Sequence, residues 1–175
     1  MEQNSTNQER TERPEPTAGD ANAGPAPKIL IDADACPVAI KEIIFRTIKR
    51  LNLKLIVVAN QTMRVPESDL ITVETVSHGA DVADNRIVQL MVAGDVVITG
   101  DIPLAARVVE GQGIAIGTRG QLYDDKSVHG RLATRNLMDQ IRAAGIETSG
   151  PKPLSKKDVQ NFANTLDRTL TRLRK

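Results

Sequence analysis

From Lys28 onward, short apolar runs alternate with stretches whose apolar residues recur at helical spacing. Residues 28–33 (KILIDA) are rich in β-branched positions and follow a proline, which predicts a first strand. Pro37 suits a first helical turn, and Ile40, Ile43, Ile44, Ile48 and Leu51 then fall on one helix face. Residues 53–59 and 70–76 predict strands two and three. Residues 80–92 predict a second helix through Val82, Ile87, Leu90 and Met91. A fourth strand is expected over 96–99, a short helix over 103–110 stopped by Gly111, and a fifth strand over 113–116. A loop follows. Helices are then expected over 128–144 and 155–173, parted by the breaker Ser149-Gly-Pro-Lys-Pro.

Apolar strands alternating with helices predict an α/β fold in three layers. Its centre is a parallel sheet of about five strands covered by helices on both faces, with C-terminal helices added. Ligands of such sheets bind beyond the carboxyl ends of the strands, where the strand order reverses.

Composition divides the chain at Lys28. Residues 1–27 hold no Val, Ile, Leu, Phe, Tyr or Trp, so they cannot bury enough apolar surface to order themselves. A disordered polar tail is expected there, and one α/β domain over 28–175. The tail carries 2 basic and 5 acidic residues, 28–118 carry 9 and 11, and 119–175 carry 12 and 6. The last stretch is therefore basic, by a net +6, on a chain whose total is only +1, which suits a polyanionic partner as well as a solvated helix face. No run is long and apolar enough for a membrane span, and no secretory signal is visible. A cytoplasmic protein is expected. The single cysteine excludes an internal disulfide and a Cys-based zinc cage, and 2% aromatic residues leave little for stacking on bases.

Carboxylates gather where the fold places strand ends. The first strand runs into Asp32-Ala-Asp34 and the fourth into Thr99-Gly-Asp101, while Asp81 and Asp84 open the second helix on one face. Singly, each reads as a cap or turn residue. Together they would repel, by about 4 kcal/mol for two charges 4 Å apart at an effective dielectric near 20, unless something neutralises them. Lys28, Lys41, Arg64 and Arg86 are the nearby bases, and none is held to the cluster by its spacing. A hard divalent ion, Mg²⁺ or Mn²⁺, is the economical partner for oxygen ligands, with Asp32, Asp84 and Asp101 as its ligands. Metal-activated water attacking a phosphodiester is the chemistry such a site suits, and Thr99 would add an orienting hydroxyl.

The run Asp32-Ala-Asp-Ala-Cys-Pro resembles the YaiI/YqxD family of uncharacterised bacterial proteins, as do Val58-Ala-Asn-Gln and Asp81-Val-Ala-Asp-Asn. So do Gly94-Asp-Val-Val-Ile-Thr-Gly-Asp-Ile-Pro-Leu-Ala and Gly150-Pro-Lys-Pro-Leu-Ser, a likeness that spans about residues 28–173. More remotely, the chain is similar to PIN-like nucleases, whose acidic sites use Mg²⁺ or Mn²⁺ to cleave RNA. The resemblance implies roles for Asp32, for Asp81 or Asp84, and for Thr99 with Asp101. It leaves one PIN acid without a counterpart.

The remaining residues divide between site and scaffold. Asp34 joins the site if the chain turns after strand one, and otherwise caps the following helix. Cys36 reads as a packed thiol, Asn60 as a ligand contact or turn residue, and His78 as an ordinary loop residue. Arg64, Arg119 and Lys126 fall in loops that suit phosphates, and Arg131, Arg135 and Arg142 lie along one side of the helix from 128. Leu132, Leu137, Met138 and Ile141 of that helix, and Val159, Phe162, Leu166, Leu170 and Leu173 of the last, are expected in the core. Two alternatives stand beside a metal-dependent RNase: a non-catalytic RNA-binding module, and a dehalogenase-like phosphatase with Asp32 as nucleophile. The latter is disfavoured because Asp124-Asp125 precede Lys126, the wrong order for that chemistry.

Overall fold

A computed structural model of the chain describes residues 26–145 and 152–174. The elements run β1 (Ile29–Asp32), α1 (Val38–Leu51), β2 (Leu55–Ala59), β3 (Ile71–Thr75), α2 (Val82–Leu90), β4 (Val96–Ile98) and α3 (Ile102–Glu110), followed by β5 (Ile114–Ile116), β6 (Leu122–Tyr123), α4 (Asp125–Ala143) and α5 (Lys156–Leu173). The tail expected over 1–27 falls almost wholly outside the described residues, as does most of the Ser149 breaker.

The sheet has the order β3-β2-β1-β4-β5-β6. The first five strands are parallel, and β6 returns antiparallel to β5. A sixth strand was not expected: two residues give no readable alternation. Ile29, Leu30 and Ile31 are fully buried, as a central strand covered on both faces must be. Their side chains alternate. Ile29 and Ile31 join Ile40, Ile44 and Ile48 of α1 and Phe162, Leu166 and Leu170 of α5 on one face. Leu30 joins Ile87 of α2, Leu104 and Val108 of α3, Tyr123 and Val128 on the other. Among the described residues no helix is long and apolar enough to cross a membrane.

Two sets of polar contacts lock this frame. At the amino ends of the strands, Asp95 is almost fully buried and accepts from Lys28 Nζ at 2.5 Å, Lys28 N at 3.0 Å and Val92 N at 2.8 Å, tying β1 to β4. At the opposite end, the 117–121 turn is stitched to α5. Thr165 Oγ1 donates to the Gly120 carbonyl at 2.9 Å, and Arg119 donates to Asp158 at 2.6 Å and to the Lys152 and Pro153 carbonyls. Asp158 also closes the Ser155 capping box at the start of α5.

The expected core role of α4 is not met. Only Val128 of that helix is buried; Leu132, Met138 and Ile141 are half-exposed and Leu137 is 56% exposed. Length explains this. Nineteen helical residues rise about 28 Å, whereas strands of three to five residues span about 10–17 Å, so α4 overhangs the sheet. The helix also begins three residues earlier than the pattern suggests, because Asp124 and Ser127 form a capping box ahead of the apolar positions.

Gly120 has φ +85°, and a Cβ there would meet the Asn161 and Phe162 backbone of α5 at 2.5–2.7 Å. Gly120→Ala is expected to lower stability by about 2 kcal/mol or more, a fall in Tm of roughly 4–8 °C. Gly130→Ala, inside α4 with nothing within 4 Å of the new methyl, should instead gain up to about 1 kcal/mol. Thermal unfolding of the two variants checks the contrast.

Candidate functional site

The chain grows from β1 outward through β2 to β3, then returns to the other side of β1 and grows outward through β4 to β6. The reversal lies between β1 and β4, where crevices form at the strand carboxyl ends. Ile31 pairs with Ile98 across that boundary, so Asp32 and Thr99 are the next residues on adjacent strands. They share the side-chain face of Leu30 and Val97, the face that α2 and α3 cover. The turn after β1 carries Asp32-Ala-Asp-Ala-Cys-Pro in place of the glycine-rich turn that cradles a dinucleotide in sheets of this order.

Each carboxylate reaches the crevice by a different local device. Asp32 turns the chain: its Oδ1 accepts from Asp34 N at 3.1 Å and more weakly from Ala35 N. Asp101 is the N-cap of α3. Its Oδ1 accepts from Leu104 N at 2.9 Å, and its Oδ2 faces Arg135 Nη2 at 3.8 Å. The cap reading and the site reading of Asp101 therefore hold together, one on each oxygen. Asp81 stands at the N-cap position of α2 in the left-handed region, φ 59°, and its carboxylate caps nothing. Asp84 lies one turn further on, half-buried. Asp34 does not cap α1, which has no side-chain cap; its Oδ2 accepts from Asn60 N at 2.7 Å and joins the β1 turn to the end of β2.

The electrostatics show that these groups feel one another. Burial pushes Asp84 up to about 6, assisted by the charges of Asp101, Asp32 and Asp81 and opposed by Arg107. The amino end of α2 favours a negative charge at Asp84, and the upward shift means that burial and neighbouring carboxylates outweigh it. Asp32 is also raised, chiefly by burial, with Asp34 and Asp101 adding to it against the two backbone donors. Among the described residues no three His, Cys, Asp or Glu side chains stand close enough to hold a metal ion in a ready-made cage. Asn60 Oδ1 is buried with no hydrogen-bond partner, the one such side-chain atom among the described residues.

Other residues take places that the sequence pattern does not reveal. Thr99 is buried, and its Oγ1 accepts from Asp101 N at 2.9 Å, so it shapes the turn that carries Asp101. Arg119, read as a phosphate contact, is engaged by Asp158 and backbone carbonyls. Arg131 lies over the Tyr123 ring, 5.6 Å from its centroid. Arg64 and Lys126 are exposed. Of the expected bases, Lys28 pairs with Asp95, Arg86 with Glu74, and Lys41 donates to the Ala33 carbonyl. The bases that do reach the acids are Arg135, and Arg107, which donates to Asn85 Oδ1 at 2.8 Å. Arg107 carried no signal beyond its place on α3. Cys36 is buried, which pushes its thiol up to about 12 and makes it a packing group. The Asp124-Asp125 pair of the phosphatase alternative is occupied otherwise: Asp124 caps α4, and Asp125 pairs with His129 at 3.8 Å.

The raised Asp84 gives a pH signature. Folded Asp84 keeps its proton to about pH 6, whereas the unfolded chain releases it near the ordinary value of 3.8. Its contribution to stability is thus greatest below about pH 4 and is lost as pH rises through 6. Asp84→Asn should raise Tm by a few degrees at pH 7.5 and change it little at pH 4. Thermal unfolding at the two pH values checks this; an equal effect at both contradicts it.

Comparison with known proteins gives the chain its relatives. Residues 30–172 match the family described as "Uncharacterized BCR, YaiI/YqxD family". A UPF0178 protein of Hydrogenovibrio crunogenus is 50% identical over 144 residues, 82% of this chain and 95% of that protein. A UPF0178 protein of Maridesulfovibrio salexigens is 51% identical over 145 residues, 83% and 96% of the two chains. A third, from Pseudoalteromonas translucida, is 52% identical over 144 residues, 82% and 95%. No solved structure matches. On a family match covering most of the sheet and its helices, with relatives near half identical over nearly their whole length, the chain belongs to the YaiI/YqxD family.

Proposed function

We propose that the protein is a divalent-cation-dependent phosphodiesterase that cleaves RNA in the cytoplasm. One observation carries the reading: Asp32, Asp84 and Asp101, from three separate segments, meet at the β1–β4 reversal closely enough that Asp84 is pushed up to about 6. A scaffold selected for stability alone has no reason to hold like charges together in a half-buried crevice. The same residues, with Thr99, are those by which the chain resembles PIN-like nucleases.

The donors fit a hard cation. They are oxygens throughout, the carboxylates of Asp32, Asp84 and Asp101 are free on at least one oxygen, and the buried Asn60 Oδ1 lacks a donor. The absence of a three-residue cage suits Mg²⁺ or Mn²⁺, which bind through one or two carboxylates and keep several waters. Such an ion supplies an acidified water and offsets charge on the phosphate. The chain's own residues do the placing. Thr99 fixes the backbone of Asp101, the N-terminal cap of α3 aims its Oδ2 into the crevice, and burial keeps Asp84 responsive to a cation. Exposed Arg64, Lys126, Arg131 and Arg135 supply phosphate contacts on the flanks.

Cleavage of an end-labelled single-stranded RNA tests this. The wild type should cut in Mn²⁺ and stop in EDTA. Asp101→Asn, which keeps a good N-cap residue and hence the fold, should cut about 100-fold more slowly. A wild type that binds RNA without cutting it in any divalent ion supports the binding-module alternative instead.

A further inference from the structure

Among the described residues, Arg135 is the one base in ion-pair range of any carboxylate in the crevice. Its Nη2 lies 3.8 Å from Asp101 Oδ2, the oxygen that the α3 cap leaves free, and its Nε lies 3.8 Å from Asp139 on the far side. The guanidinium is 41% exposed and Asp101 35% exposed, so the pair is long and solvated, and such pairs hold by only a few-fold in equilibrium. One turn earlier on α4, Arg131 lies over Tyr123. Two arginines of one helix thus flank the crevice, and one of them covers the oxygen a cation would need.

We propose that Arg135 is a charge gate for this site: it is the counter-ion of Asp101 while the site is empty, and the ligand of a substrate phosphate once a divalent cation is bound. The inference rests on the cation-site reading above. Competition follows from charge. A cation on Asp101 displaces the weak pair, and its own positive charge then repels the guanidinium from that oxygen. The freed fork is matched to a phosphate oxygen pair, and Asp139 keeps it near the crevice mouth. An anionic chain arriving without the cation meets the carboxylates and an arginine already engaged. Cation and phosphodiester therefore bind with positive coupling, while the arginine and the cation oppose each other. The ligand class is an extended phosphodiester, whose neighbouring phosphates can occupy Arg135 and Arg131 in turn.

Two measurements on wild type, Arg135→Gln and Arg135→Lys test the gate. Free Mn²⁺ is counted by electron paramagnetic resonance, and binding of a short fluorescent 2′-O-methyl oligonucleotide, which resists cleavage, is followed by anisotropy with and without Mn²⁺. Arg135→Gln should bind Mn²⁺ about fivefold more tightly than wild type. It should bind the oligonucleotide in Mn²⁺ about tenfold more weakly. Arg135→Lys should fall between on both. If wild type binds Mn²⁺ and Arg135→Gln binds it no better, the gate is overturned and the cation site stands. Unchanged oligonucleotide affinity in Arg135→Gln likewise overturns the gate. If wild type binds no Mn²⁺, the cation-site reading fails and the gate fails with it.

Discussion

Parallel pairing of Ile31 with Ile98 sets the ends of β1 and β4 side by side at the point where the sheet reverses its direction of growth. Everything proposed for the molecule depends on that register. A slip of one residue would turn Asp32 and Thr99 toward the α1–α5 face and bury a carboxylate among Ile40, Ile44 and Phe162. The register is held from two directions. Full burial of Ile29 to Ile31 fixes which residues face which layer, and the Asp95–Lys28 clamp fixes β1 against β4 at the opposite ends of the strands. Breaking a mostly buried pair of this kind costs about 3–5 kcal/mol, far more than the exposed pairs elsewhere on the surface.

The crevice is the least favourable part of this fold in electrostatic energy. The frame stabilises itself with apolar layers and one clamped aspartate, and at the other end it tolerates carboxylates that raise one another. Arg107 and Arg135 relieve only part of this, from the flanks. A site arranged this way gains most from a compact double charge. That is why a divalent cation accounts for the arrangement better than the capping roles, which engage one oxygen of Asp101 and neither carboxylate of α2's first turn.

The sequence made the layered sheet legible because the decisive signals are local. The uniform apolarity of the central strands, the helix spacing of α1 and α5, and the Gly111 stop are all read within single segments. Asp32, Asp84 and Asp101 were legible by a second step, since a strand-end position in an alternating pattern implies a shared sheet edge. What was not legible depends on distances between segments. β6 is two residues defined by its partner. Arg119 reads as a loop cation until Asp158 is seen beside it, and the apolar side of α4 reads as core until its length is set against that of the sheet. The roles of Asp34 as a brace for Asn60 and of Arg107 beside Asp84 likewise arise only when strands and helices are assembled.

The central claim is that acids from separate segments form one charge-coupled site that answers to a cation. Carboxyl-carbon NMR titration of Asp84, with and without Mg²⁺, tests it most directly. The account predicts a midpoint near 6 in the free protein that falls below the ordinary carboxylate value when Mg²⁺ is present. A midpoint at the ordinary 3.8, unmoved by Mg²⁺, would contradict it.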